Sequence, residues 1–192
     1  RVVFLEDVLN RAVEQTKQII LEKNVTTENI DETAHDVGVG AVVFNELSNY
    51  RIKDYVFSWD KVLNFEGETG PYVQYTHARA CSILRRAGED TVKAAKKGFD
   101  TSWITGESAH HLIKLLYALP EVIKEAGEKY EPSIVTRHIV DIAQGFNKFY
   151  HDEHILVEDE KEKTAKVALV LAVQTAIKNG LGLLGMKAPE KM

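Results

Sequence analysis

Tyr75, Arg79, Ser82 and Arg86 stand at i, i+4, i+7 and i+11, with Tyr72 a turn earlier. On a helix that spacing puts them on one face, and the face is aromatic and basic together. Unstacked bases of single-stranded RNA need flat partners, each worth about 1–3 kcal/mol, while guanidinium groups hold phosphates or base edges. The same spacing also describes an ordinary amphipathic helix whose tyrosine is half-buried and whose arginines are solvated or paired with acids. Spacing alone leaves both readings open.

Three other groupings could do chemistry. His151, Asp152, Glu153 and His154 carry metal-binding atoms, but without a third well-spaced ligand or a helical HExxH they read better as a polar loop, and no metal is expected. Cys81, with His77 four residues before it, pairs a thiol with a base. An isolated cysteine is more often a small buried hydrophobe, so no catalytic residue is assigned. Val37-Gly38-Val39-Gly40 lacks the third glycine of a dinucleotide motif and the lysine of an NTP loop. Close helix packing is the better account of it.

Helices must position these residues. Leu5, Val8, Leu9, Ala12, Val13, Ile19 and Ile20 recur at three- and four-residue spacing and predict an amphipathic helix. Thr26-Thr27-Glu28-Asn29 offers starting side chains for a second, which carries Ala34, Val37, Val39, Ala41, Val42 and Phe44. Residues 48–60, dense in aromatics and charges, fit helix, strand or irregular structure. From Asn64 a loop leads to a helix start, because Gly67 and Gly70 free the backbone and Pro71 is pre-set for a first turn. An inner boundary is placed there. Ala80, Ile83, Leu84 and Ala87 turn inward, Gly88 ends the helix, and a linker or short helix runs to Gly106.

A helix over 107–119 is expected to break or restart at Pro120. Ser133 is read as the cap of the next, along which Val135, Ile139, Ile142, Phe146 and Phe149 recur. A last helix is expected over 162–179, with Gly180, Gly182 and Gly185 loosening the chain behind it. The fold class is all-α.

Composition limits what such a molecule does. At 192 residues, 44% hydrophobic and 28% charged, the chain suits one domain, or a domain with an attached sub-domain. A net charge of −5 argues against coating nucleic acid by bulk electrostatics. Charge is nevertheless segregated: Arg79, Arg85, Arg86, Lys93, Lys96 and Lys97 cluster, whereas acids collect at Glu158-Asp159-Glu160. No apolar run approaches the roughly 20 residues a bilayer span needs, and the N-terminus lacks the zones of a signal peptide. The single Cys81 suits a reducing compartment, and cytoplasm is expected. A chain opening in mid-pattern on Arg1, without methionine, suggests a fragment.

Four ordered blocks narrow the reading. Asp36-Val37-Gly38-Val39-Gly40-Ala41-Val42, then Ser48 with Asp54-Tyr55-Val56-Phe57-Ser58-Trp59-Asp60, then the stretch from Phe65 through Gly70-Pro71-Tyr72-Val73-Gln74-Tyr75-Thr76-His77-Ala78-Arg79, and finally Leu183 to Met192 resemble arginyl-tRNA synthetases over essentially the whole chain. The resemblance implies an all-α fold in which residues 71–192 form the family's helical bundle anticodon-binding domain. Residues 1–70 would be the end of the catalytic body with its stem-contacting helices.

It also implies site residues. The anticodon pocket would fall on Tyr75, Arg79, Tyr150 and Met192, with His154 where some relatives carry a large aromatic. Phe65 and Gly67 would belong to a loop against the anticodon arm, and Tyr72, Gln74 and Arg86 would support the contact. The implied partners are an arginine-specific tRNA and an N-terminal catalytic portion of the same protein, with no membrane. ATP and magnesium belong to the parent enzyme; no cofactor is expected in this chain, which has neither the HIGH-like nor the KMSKS-like element and should be inactive alone. The chain would start just after the KMSKS-like stretch. The alternative is a helical protein-interaction module derived from such a domain and no longer binding RNA, which the acidic net charge keeps open.

Overall fold

A computed structural model describes residues 3–22, 27 and 29–192. Among these, helices α1 (Leu5–Glu22), α2 (Ile30–Ser48), α3 (Trp59–Val62), α4 (Gly70–Ala87), α5 (Glu89–Lys97), α6 (Glu107–Lys129), α7 (Ser133–Asp152) and α8 (Glu160–Leu183) follow one another, with a 3₁₀ turn at Thr101–Trp103 and no strand. Of the expected starter segment for α2, Thr26 and Glu28 lie outside the described residues, as do Arg1 and Val2. Asn29 is the cap, its side-chain oxygen accepting from the amides of Asp31 and Glu32. The aromatic stretch after α2 is mostly irregular and ends in the single turn of α3.

Helix α4 begins as its sequence requires. Thr69 Oγ1 accepts from the Tyr72 amide at 3.2 Å, and Pro71 sits in the first turn, where its missing N–H costs nothing. Gly88, at φ 86, ends the helix. Helix α4 packs against α2, α7 and α8. The larger core gathers Val73, Ala80 and Ile83 of α4 with Phe44 of α2, Ile139, Ile142, Phe146 and Phe149 of α7, and Val170, Val173 and Ile177 of α8. A smaller cluster joins Ala12 of α1, Ala41 and Val42 of α2, and Val62 and Leu63. There α1 lies so close to α2 that a Cβ at Gly38 would come within 2.8 Å of the Ala12 backbone, which is the packing reason for that glycine.

Three expectations are corrected. Pro120 does not break α6, which runs unbroken to Lys129. The ring is exposed, and buried Leu112, Leu119 and Ala126 hold the helix on both sides of it. Ser133 does not cap α7: it is the first helical residue, after Pro132, and its hydroxyl donates to Glu131 at 2.7 Å. Gly180 does not loosen α8. It lies within the helix, where a Cβ would meet Ile139 Cγ2 at 2.5 Å, so the glycine lets α8 lie against α7. The helix ends only at Leu183, with Gly185 at φ 74.

Candidate nucleic-acid interface

Helix α4 presents Tyr75 and Arg79 outward, and α7 brings Tyr150 beside them. The Arg79 guanidinium carbon lies 4.9 Å from the Tyr75 ring centroid and 5.6 Å from that of Tyr150. Both rings remain substantially open, Tyr75 at 38% and Tyr150 at 41% exposure, so each is accessible from solvent. Tyr150 is braced from behind by Phe146, the rings stacked at 6.4 Å. It is therefore a surface ring on a core support.

One further member of this site has only a faint mark in the sequence. Asn147 of α7 accepts from Arg79 Nη1 through Oδ1 at 2.6 Å, and its Nδ2 donates to Tyr72 Oη at 2.8 Å and to Thr76 Oγ1 at 3.2 Å. A single amide thus fixes one edge of the guanidinium and ties Tyr72 to α7. Tyr72 accordingly supports from within the network and is only half-exposed.

The last residue of the chain joins the same place. Met192 lines a recess of about 490 Å³ with Tyr75, Arg79, Phe65, Ile19 and Ile20. Phe65 comes from the loop before α4, which folds on itself: the Asn64 side chain accepts from the Glu66 amide at 2.9 Å, and the Thr69 hydroxyl donates to the Asn64 carbonyl. Gly67 sits at φ 88 with open space around it, so it shapes the loop.

Arg86 and His154 lie elsewhere. They line a second recess of about 360 Å³ with Tyr150 and His151, so Arg86 serves the Tyr150 side and not the Tyr75 side. His154 is exposed, and its carbonyl accepts from Lys166 Nζ at 2.9 Å. The Lys166 ammonium also meets Glu153 at 3.1 Å and Glu162 at 2.8 Å. Burial alone would lower its pKa, but the hydrogen bonds and charges of the two carboxylates win and raise it. The loop bearing His154 is thereby pinned to α8.

Gln74 does not reach the surface. It is fully buried, and its amide donates to the carbonyls of Asp36 and Lys187 at 3.1 and 2.9 Å. The Cys81 thiol is also buried. Burial, aided by Glu190, pushes it up to about 11, so despite lying 3.7 Å from His77 Nε2 it holds its proton at neutral pH and is a poor nucleophile. In the tract after Tyr150, His151 Nδ1 pairs with Asp152 at 3.2 Å, and among the described residues no three His, Cys, Asp or Glu side chains gather to hold a metal ion. No described helix is long and apolar enough to cross a membrane.

Comparison with known proteins shows the family. Residues 73–192 match the DALR anticodon binding domain, and residues 1–59 match the catalytic domain of class I (R) tRNA synthetases. An arginine–tRNA ligase of Halothermothrix orenii is 56% identical over the whole chain, which covers 33% of that protein. Another, from Clostridioides difficile, is 53% identical with the same coverage. The solved arginyl-tRNA synthetase of Thermus thermophilus superposes over the whole chain with a TM-score of 0.91 at 33% identity, the chain covering 32% of it. The chain spans about a third of the length of the relatives it matches. It belongs to the DALR anticodon binding domain family, preceded by a piece of a class I synthetase catalytic domain.

Proposed function

We propose that this chain is the anticodon-recognising part of an arginine–tRNA ligase, and that Tyr75, Arg79, Tyr150 and Met192, with His154 at the margin, hold bases drawn out of the anticodon loop. One observation carries the reading: a guanidinium is fixed between two exposed tyrosine rings, beside a recess closed by Met192. Such a site offers π-faces for stacking, directed cationic donors and an adaptable apolar wall. Residues 71–192 are taken as the anticodon-binding domain. Residues 1–70 are taken as the end of the catalytic body, with Phe65 and Gly67 on a loop facing the anticodon arm and Arg86 beside Tyr150.

The longer protein would join arginine to its tRNA in the cytoplasm, with ATP and magnesium supplying the activation step. The share proposed for this chain is to bind and orient the tRNA. Gripping the anticodon arm holds the acceptor end at the distant reacting centre, so that binding energy made far from the chemistry is used there.

The test is tRNA binding by the intact protein. Arginine tRNA should bind tighter than an unrelated tRNA, and Tyr75→Ala or Arg79→Ala should each weaken it by about 1–3 kcal/mol, the worth of one stacked base. Equal affinity for both tRNAs with no effect of either substitution would leave a helical module that does not read RNA.

A further inference from the structure

The segment behind α8 has no regular structure, yet its path is fixed. Leu184 and Met186 are buried in the core. Beyond them the backbone carbonyls are taken up in turn by side chains of α4. Gln74 Nε2 donates to Lys187 O at 2.9 Å, His77 Nδ1 to Pro189 O at 2.9 Å, and Arg85 Nη1 to Glu190 O at 3.1 Å. Gln74 and His77 are fully buried, and buried polar groups of this kind are costly to leave unpaired. His77 is itself held from the other side, its Nε2 3.1 Å from the Gln174 amide nitrogen of α8. A carbonyl can only accept, so the ring proton sits on Nδ1 and Nε2 accepts from Gln174. Two residues after Glu190, Met192 reaches the recess that it shares with Tyr75 and Arg79.

Helix α4 therefore has two working faces. One displays Tyr75 and Arg79; the other, through Gln74 and His77, grips a segment more than a hundred residues away in sequence. We propose that His77 and Gln74 are positioning residues for the base-binding site: clamping the Pro189 and Lys187 carbonyls sets the register of the last residues, so that Met192 forms a wall of the recess. From Lys187 to Glu190 the grip is on main-chain carbonyls, behind the anchor that the buried Leu184 and Met186 side chains provide. This inference rests on the function proposed above for Met192, but the clamp can be observed without RNA.

Two readouts on the intact protein test it, with His77→Asn and His77→Leu as variants. The asparagine Nδ2 falls near the ring Nδ1 and keeps a donor for Pro189; leucine removes it. Without RNA, the Met192 methyl resonance, assigned through Met192→Ala, should be shifted by the nearby ring in the native protein and in His77→Asn, and narrow and unshifted in His77→Leu. With arginine tRNA, Met192→Ala should weaken binding about tenfold in the native and His77→Asn backgrounds, towards the lower end of the range for losing one stacking contact. It should add nothing in His77→Leu, while Tyr150→Ala keeps its effect in every background.

An unshifted effect of Met192→Ala in the His77→Leu protein, or a Met192 methyl that stays ring-shifted there, overturns the clamp. Loss of the Tyr150→Ala effect in the same protein overturns it too, because the damage would then be general. If the methyl responds as expected but no substitution affects RNA binding, the clamp stands and the anticodon reading falls. Should His77→Leu fail to fold, Gln74→Met releases the Lys187 end and is read by the same two measurements.

Discussion

Removing the Asn147 side chain should disarm Arg79 without touching it. In the native protein the guanidinium is held on one edge by Asn147 Oδ1 at 2.6 Å and lies over the rings of Tyr75 and Tyr150. A free arginine side chain carries about 2 kcal/mol of rotamer entropy. With both rings still restraining Arg79, roughly half of that would return on Asn147→Ala, to be lost again when RNA binds. Release of Tyr72 Oη and Thr76 Oγ1 from the same amide loosens the α4–α7 contact beneath the site. Together these weaken arginine-tRNA binding by about 1–2 kcal/mol, a factor of roughly 5 to 30.

Fluorescence anisotropy with labelled tRNA measures this in the native protein, in Asn147→Ala, in Arg79→Ala and in the double variant. Most of the Asn147 effect should vanish in the Arg79→Ala background, because its target is gone; the coupling should be near 1 kcal/mol. Thermal unfolding of Asn147→Ala should show a loss of about 1–2 kcal/mol from the broken hydrogen bonds. Fully additive binding effects, or native-like binding by Asn147→Ala, would refute the reasoning.

Other consequences follow from packing and burial. Gly180→Ala should destabilise the protein by about 1–3 kcal/mol in a urea titration, since its Cβ would meet Ile139 at 2.5 Å between α7 and α8; unchanged stability would show that the helices can part freely. Burial holds His77 below the usual imidazole range, the Pro189 hydrogen bond opposing it, with Lys178 lowering and Glu190 raising. Its folded pKa lies below the unfolded one, so as pH falls the unfolded chain takes up this proton first. The associated stability is complete above about pH 6.5 and is lost as pH falls from there through the folded value. His77→Asn, which still faces Cys81, Gln174, Lys178 and Glu190, should show a shallower acid slope in unfolding midpoints. Finally, with the Cys81 thiol pushed up to about 11 by burial, iodoacetamide at pH 8 should alkylate it on the order of 200-fold more slowly in the native than in the unfolded protein, from the thiolate fractions alone. Comparable rates, followed by peptide mass spectrometry, would contradict that burial.

What could be read from the sequence and what could not divide along physical lines. The start of α4 is legible because Gly67, Gly70 and Pro71 act on their own neighbours, and the apolar stripe of α7 is legible because burial repeats with the helix period. Tyr75, Arg79 and Tyr150 converge because α4 and α7 pack together, a fact that spacing within either helix does not contain. Pro120 and Gly180 misled because their local tendencies were overruled from outside, by the core grip of Leu112 and Leu119 in one case and by the approach of Ile139 in the other.

Asn147 and His77 left only faint marks. Asn147 is a weak helix former inside α7, and His77 is a polar residue on the buried side of α4; each is a reason to ask for a partner. The partners themselves, Arg79 for the one and Pro189 for the other, lie 68 and 112 residues away, beyond any periodicity.

The Tyr75–Arg79–Tyr150 surface is proposed to read anticodon bases. The most direct measurement compares the affinity of the intact protein for arginine tRNA and for the same tRNA with only its anticodon bases replaced, in the native protein and in a Tyr75→Ala, Arg79→Ala, Tyr150→Ala variant. The native protein should lose on the order of 30-fold or more, equivalent to two stacked bases at about 1 kcal/mol or more each, and the variant should bind both tRNAs alike. A variant that still discriminates between the two tRNAs as strongly as the native protein would contradict the account.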